Sequence, residues 1–545
     1  MKFFLTATLV ISNIFFLQAQ SIFPTPVSMV IDAQSPDFIL SNKTTIANNG
    51  KPSVQAVILQ NLIKTQTGIV VKIGTKETIN DNLGYNIIFN RIQGKQPQIK
   101  FNRDAYKIVK NKKAYQIYYV TNEALINAFH SLVQLFPVGQ GNKALAVKSY
   151  SIFDYPKFAY RGMHLDVSRH FFDVPFIKKY LDYLAFHKMN IFHWHLTDDQ
   201  GWRIEIKKYP SLTEIASKRA ETLIGHYRDS PKVYDKTPHG GYYTQAQIKD
   251  VVKYALERGI NIIPEIDIPG HSMAILAAMP QLSTTPDSVN YFKVARTWGM
   301  YNRENNVLAP HEETFEVLDN IFKEVAALFP YQYIHIGGDE ASKKWWKNSP
   351  WVQEFIVKNN LKNEDGLQSY FIKRVEVGIN KLGKTIIGWD EILEGGLAPN
   401  AIVMSWRGEK GGIAAAKELH SVIMTPGKPL YFDHYQTKNP KDSLAIHGYN
   451  PFKAVYNYNP IPKVLDSLGL GNYVLGAQGN VWTEYMASQA KVEYMIFPRM
   501  AALAEVLWAT KKTPYNEFKQ VVKTNVLPVY ELWNVNYCKE WEIWE

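Results

Sequence analysis

From about Phe158 onward, short apolar runs alternate with longer stretches in which apolar residues recur every three or four positions. The short runs predict strands and the spaced stripes predict helices. Strands are predicted at Arg161–Val167, Asn190–Thr197, Ile260–Ile266, Tyr333–Ile336, Thr385–Trp389, Ala401–Ser405, Ser421–Thr425 and Val474–Gln478. Helices are predicted at Val174–His187, from a Thr244 cap to Glu257, and at Glu313–Phe329, Leu367–Leu382, Gly411–Glu418 and Lys491–Trp508. The segment between the seventh and eighth strands carries no clear helical stripe. Eight strands in βα alternation predict an α/β fold closed into a (β/α)8 TIM-type barrel. No Gly-x-Gly-x-x-Gly follows the first strand, which argues against a dinucleotide fold.

Residues 21–155 pattern as a separate, small mixed α/β domain, a sheet plus helices. Ser53 would cap a helix over Val54–Thr65, and Thr121 a helix over Asn122–Phe136 that Pro137 stops. Gly68–Ile73, Tyr85–Phe89 and Ala114–Val120 are strand-like, and Lys100-Phe-Asn102 suggests a turn. Asp154-Tyr-Pro156 is the expected linker into the barrel unit, 156–545, with its helical carboxyl-terminal end. Residues 1–20, basic at Lys2 and apolar to Leu17, are expected to be a cleaved signal peptide. Export to the periplasm or exterior of a bacterium follows. No other run reaches membrane-spanning length.

At 545 residues the chain has room for two or three domains, and 46% hydrophobic with 20% charged residues is an ordinary globular balance. A single cysteine, Cys538, precludes an internal disulfide. The net charge of +11 comes without a Lys/Arg-dense run, so no nucleic-acid partner is expected. The 13 Trp and 32 Tyr lean toward flat ligands such as sugars.

Candidate chemistry collects where the strands end. Tyr333-Ile-His-Ile-Gly-Gly-Asp-Glu340 delivers two adjacent carboxylates from an apolar run, and Gly337 and Gly338 free them from strict alternation. The other endings are Asp166-Val-Ser-Arg-His170, Thr197-Asp-Asp-Gln-Gly-Trp202, Glu265-Ile-Asp-Ile-Pro-Gly-His271, Trp389-Asp-Glu391, Trp406-Arg-Gly408, Tyr431-Phe-Asp433 and Trp482-Thr-Glu484. In such a barrel the active site lies at these carboxyl ends. Carboxylates with aromatic walls point to glycoside hydrolysis.

In that order the motifs resemble the β-N-acetylhexosaminidases, glycoside hydrolase family 20, over roughly 158 to 510, and the amino-terminal segment more loosely resembles that family's accessory domain. The resemblance implies exo-acting release of terminal β-linked GlcNAc or GalNAc from glycans, with retention and with the substrate's own acetamido group as nucleophile. It implies Glu340 as general acid and base, Asp339 holding the acetamido N–H, and Tyr431 its oxygen. Trp389, Trp406 and Trp482 would wall the acetyl methyl. Arg169, Asp433 and Glu484 would bind outer hydroxyls, and His271 with Asp198 would form a relay that tunes the acid. A glycan is the expected partner, and no cofactor or metal is expected.

Other readings of the same residues stay open at this point. His193, His195, His271 and His335 offer ligand spacing for a metal, although His193 and His335 fall inside strands. A glycosidase with two protein carboxylates would need a second acid, for which Glu265 or Glu391 is placed. A non-catalytic glycan binder is a third, which the intact Asp339–Glu340 pair disfavours. Trp345 and Trp346 suit an outer sugar platform or a core equally. Trp194 and Trp298 either line a pocket or pack. Asp339 beside Glu340 is expected to raise the acid's pKa.

Overall fold

Apolar runs covered on both faces need partners on both edges, and closing the sheet on itself supplies them. A computed structural model describes residues 21–48, 53–75, 84–92, 104–139, 141, 143–285 and 292–543. The barrel strands are β1 (Tyr160–Asp166), β2 (Ile191–His195), β3 (Asn261–Ile268), β4 (Tyr333–Gly337), β5 (Thr385–Trp389), β6 (Ile402–Ser405), β7 (Val422–Met424) and β8 (Val474–Gly479). Each pairs in parallel with the next, and β8 returns to β1. Alternation sorts their side chains. Phe192 and Trp194 of β2 join the core between barrel and helices, whereas Ile191, Ile263, Ile387 and Met404 fill the interior. The expected (β/α)8 barrel is therefore present. Trp194 belongs to its outer packing.

Helices between the strands begin where a side chain satisfies their first N–H groups. Asp173 caps Val174–Phe186, a Thr244–Gln247 capping box opens Gln245–Glu257, and Asn363 caps Glu364–Lys381. Glu312–Leu328 and Lys410–Lys417 complete the helices expected between strands. Two short helices that the pattern did not predict, Lys343–Lys347 and Pro350–Lys358, precede Glu364–Lys381. Between β7 and β8 lie the short helices Gly427–Leu430, Phe452–Asn457 and Lys463–Ser467, cut short by Pro429, Pro451, Pro460 and Pro462, and a 3-10 turn at Gly471–Tyr473. The predicted helix Lys491–Trp508 is in fact two, Gln489–Ile496 and Arg499–Trp508, because Pro498 has no N–H to continue the first.

Among the described residues the amino-terminal unit has a seven-stranded sheet, a two-stranded sheet and two helices, Val54–Thr67 and Asn122–Val133. Ser53 and Thr121 cap them as expected. Gly68 takes a left-handed φ of 82° to end the first helix, so the strand anticipated from Gly68 starts only at Lys72. The helix expected to reach Phe136 ends at Val133. The anticipated turn at 100–102 and leader at 1–20 lie outside the described residues. Asp154, anticipated in a linker, instead ends the strand Tyr150–Asp154 and is fully buried. Its carboxylate pairs with Lys188 at 3.0 Å and accepts from Trp508 Nε1, also at 3.0 Å. No helix among the described residues is long and apolar enough to cross a membrane.

Candidate active site

The end of β4 turns sharply. Gly337 has φ +67° and Gly338 φ +98°, both in the left-handed region. A Cβ on Gly337 would lie 1.7 Å from Asp267 Oδ1, and one on Gly338 2.6 Å from Ile392 Cγ2. Only glycine fits both demands. The turn brings Asp339 and Glu340 to the same imidazole, with His271 Nε2 3.5 Å from Asp339 Oδ2 and 3.5 Å from Glu340 Oε2. Glu340 and His271 are themselves left-handed, at φ +43° and +46°. Non-glycine residues held there store backbone strain, which clusters at functional sites.

His271 faces carboxylates on both sides. Its Nδ1 lies 3.2 Å from Asp198 Oδ1 and 3.2 Å from Asp199 Oδ2. Burial works against the ring's charge, but Asp198 and Asp339 outweigh it and push its pKa well above the ordinary histidine value. Asp198 is held in turn by Arg169 Nη2 at 2.7 Å. Despite burial, Arg169 and His271 keep Asp198 well below the usual carboxylate range. Burial also pushes Glu340 upward, yet the His271 hydrogen bond and charge bring it below the ordinary glutamate value. The expectation that Asp339 raises Glu340 is thus corrected, because the charged His271 ring sits against both acids.

Beneath this lies a buried polar floor. Strand register sets Asp166, His195, Glu265 and His335 side by side on β1 to β4. Glu265 accepts from His195 Nδ1 at 2.6 Å and from Trp389 Nε1 at 2.9 Å, with His193 Nε2 at 3.0 Å and His335 Nδ1 at 3.1 Å. The other nitrogen of His195, Nε2, reaches Asp198 Oδ2 at 3.1 Å. Five groups among the described residues, His164–His195–Glu265, His193–Glu265–His335, His195–Asp198–Asp267, Asp198–Asp199–His271 and Asp267–His271–Asp339, have ligand atoms within 4.8 Å of one another, a spacing a metal could use. In this structure the nitrogens of His195 and His271 face carboxylates that already offset their charge.

Aromatic rings form a connected wall. Trp389 and Trp482 lie 5.7 Å apart between ring centroids, Trp482 and Tyr431 6.4 Å, and Tyr431 stacks on Trp406 at 6.1 Å and 17°. Arg169 rests 5.0 Å over Trp482. Trp406 Nε1 donates to Glu391 Oε2 at 2.9 Å. Burial, then the charge of Asp339, raises Glu391 to about 8. The Tyr431 hydroxyl is raised by burial and then by Asp433 and Asp339, so it shares their surroundings. Asp433 and Glu484 are both raised by burial, Asp433 next by the charge of Glu484, while Arg169 pulls Glu484 back. Asp339 Oδ1 and Asp433 Oδ1 are buried and accept nothing from the protein.

The structure thus gathers the named residues into one site, with Asp433 and Glu484 on the Arg169 side. Glu265 and Glu391, the alternative second acids, hold Trp389 and Trp406 instead. Trp346 is core, its Nε1 bonded to Leu308 O, and so is no sugar platform. Trp298 is buried beside His170, 5.7 Å between rings. Three contributors went unassigned in sequence: His195, Asp199, which accepts from Met273 N and Asn306 Nδ2, and Gln200, which accepts from Arg169 Nε. Asp199 and Gln200 follow Asp198 directly in the same strand-end motif, the one signal that marked them.

The model of "Glycosyl hydrolase family 20, catalytic domain" matches residues 158–511, and "Glycosyl hydrolase family 20, domain 2" matches 19–155. A beta-hexosaminidase of Porphyromonas gingivalis is 42% identical over 492 residues, covering 89% of this chain and 60% of its own length. One of Vibrio furnissii is 37% identical, covering 73% and 64%. The chain therefore spans about three-fifths of the length of these relatives. Among solved structures, the exo beta-N-acetylglucosaminidase of Vibrio harveyi in complex with N-acetylglucosamine aligns with TM-score 0.81 at 29% identity, over 96% of this chain and 79% of that one. A chitobiase of Flavobacterium johnsoniae aligns with TM-score 0.75 at 32% identity, over 94% and 72%.

Proposed function

Because this chain belongs to glycosyl hydrolase family 20, we propose that it is an exo-acting β-N-acetylhexosaminidase that releases terminal non-reducing β-linked GlcNAc or GalNAc from glycans or chitooligosaccharides. The relatives named above support the activity by their own names. The observation that carries the mechanism is the sharing of one imidazole by Asp339 and Glu340, while a buried oxygen of Asp339 stays free to accept.

The acetamido carbonyl oxygen of the sugar attacks its own anomeric carbon as the glycosidic C–O bond breaks. Glu340 gives its proton to the departing oxygen, and an oxazolinium ion remains. Asp339 accepts from the acetamido N–H and steadies the positive charge that develops there, while the Tyr431 hydroxyl donates to the acetamido oxygen. Water then attacks the anomeric carbon from the face the leaving group left, giving a proton to Glu340 as the bond to the acetamido oxygen breaks, so configuration is retained. A nucleophile already attached to the substrate can contribute about 7–11 kcal/mol through proximity in ideal cases. The wall of Trp389, Trp406 and Trp482 fits the acetyl methyl and excludes water from the intermediate. Arg169, Asp433 and Glu484 bind outer hydroxyls. His271, charged between Asp198 and the two acids, is the proton reserve for Glu340. Residues 1–20 serve as a cleaved export leader, which amino-terminal sequencing of the secreted protein checks.

The test compares an aryl β-GlcNAc glycoside with the aryl β-glucoside. Only the first is hydrolysed by the wild type. Asp339→Ala loses about 10²–10³-fold in kcat. Glu340→Ala loses about 10²–10⁴-fold on poor leaving groups, but much less on good ones, which need little protonation. Equal turnover of the glucoside rules out assistance by the acetamido group.

A further inference from the structure

Among the buried carboxylates that take no step in the mechanism is Glu265, which is fully buried. Glu265 lies in the barrel floor, away from the reacting acids, yet it touches both halves of the site. Toward the wall, Trp389 Nε1 donates to its Oε1 at 2.9 Å. Toward the acids, His195 Nδ1 donates to its Oε2 at 2.6 Å, and His195 Nε2 reaches Asp198 Oδ2 at 3.1 Å. Carboxylate oxygens only accept when ionised, so a ring placed between two of them must carry a proton on both nitrogens. The line Glu265–His195–Asp198–His271–Glu340 therefore alternates negative and positive charge from the floor to the acid.

We infer that Glu265 is a positioning residue for the hydrolytic reaction: through His195 it orients Asp198 on His271, and through Trp389 it fixes the acetamido wall. The inference rests on the function proposed above. A buried carboxylate with only a structural task does not need an imidazolium partner that itself ends on the relay. Removing Glu265 would leave the buried His195 charge half compensated, and that charge is costly without its partner. Other groups face this pair from every side. They are His164 and Asp166 from β1, His193 from β2, Asp267 from β3, His335 from β4 and, from the opposite end of β1, Tyr160. Burial opposes the charge of His195, but Glu265 and Asp198 lift its pKa to about 10.

Glu265→Gln keeps the shape and a carbonyl acceptor for Trp389 but removes the negative charge. One fewer negative charge makes the protonated members of the line give up their protons at lower pH. The variant is expected to hydrolyse the aryl β-GlcNAc glycoside with kcat/KM at least about tenfold lower. The basic limb of its pH profile should move to lower pH. Trp389→Phe breaks only the wall-side bond, so it should lose kcat/KM while keeping the wild-type limb. A Glu265→Gln profile that superimposes on the wild type after scaling overturns the inference. Absence of wild-type activity on this substrate would count against the function, not against the positioning. Should Glu265→Gln fail to fold, wild-type protein labelled with 15N-histidine supplies the readout. His195 should then stay doubly protonated at about pH 8, and a neutral ring overturns the inference.

Discussion

His271 holds more of the site together than its single ring suggests. It meets Asp198 and Asp199 on one nitrogen and Asp339 and Glu340 on the other, all between 3.2 and 3.5 Å. With a ring held charged next to a glutamate held low, the pair carries one proton that belongs to both, and it titrates as a pair. His271→Gln removes the reserve, so Glu340 alone must keep the proton. The basic limb of kcat/KM is then expected to move toward acid, which a pH–rate series on both proteins measures. At this scale the sequence was informative where a motif named a residue and weak where distance mattered. Asp198 and His271 were paired by motif before any geometry, whereas His195 stood out only as one of four histidines with metal-ligand spacing, since nothing local says that Glu265 faces it from the next strand.

The site depends on how β4 ends. Its last residue, Gly337, leaves no room for a Cβ against Asp267, and the reversal it begins turns Asp339 and Glu340 toward His271. Gly337→Ala is expected to cost about 1–3 kcal/mol by forcing atoms into a filled space, with a further cost for the left-handed backbone. A lower urea midpoint together with lost kcat checks it; activity unchanged at wild-type stability contradicts it. Elements with a clean period and a cap were legible: Thr244 opening Gln245–Glu257 and Ser53 opening Val54–Thr67 are local chemistry. The helix broken at Pro498 was misjudged because its apolar stripe runs on across the proline. The short pieces between β7 and β8 escaped because prolines leave them too few residues to show a period.

At the scale of the molecule, the two units are pinned by a buried knot. Asp154 of the amino-terminal sheet accepts from Lys188, Tyr106 and Trp508, and Lys188 also lies 4.3 Å over the Trp508 ring. Lys188 follows the barrel helix Val174–Phe186, and Trp508 ends Arg499–Trp508, so one carboxylate joins three elements. Asp154→Ala leaves the Lys188 charge buried and unpaired, a loss of about 3–5 kcal/mol. Chemical denaturation should show the drop, while KM stays near the wild-type value because the knot lies at the opposite end of β1 from Asp166 and the relay.

Sequence alone decided the class of fold and the residue types at the strand ends, because strand and helix periods and cap chemistry are written within a few residues of each element. It also carried the family, since the motifs are long and ordered. Only the tertiary structure decided which strand-end groups touch. The reversal of Glu340's expected shift, the capture of Glu265 and Glu391 by tryptophan N–H groups, and the burial of Asp154 all depend on residues far apart in the chain. Electrostatic interactions act across space between neighbouring strands, and strand order with register, not sequence distance, sets who the neighbours are.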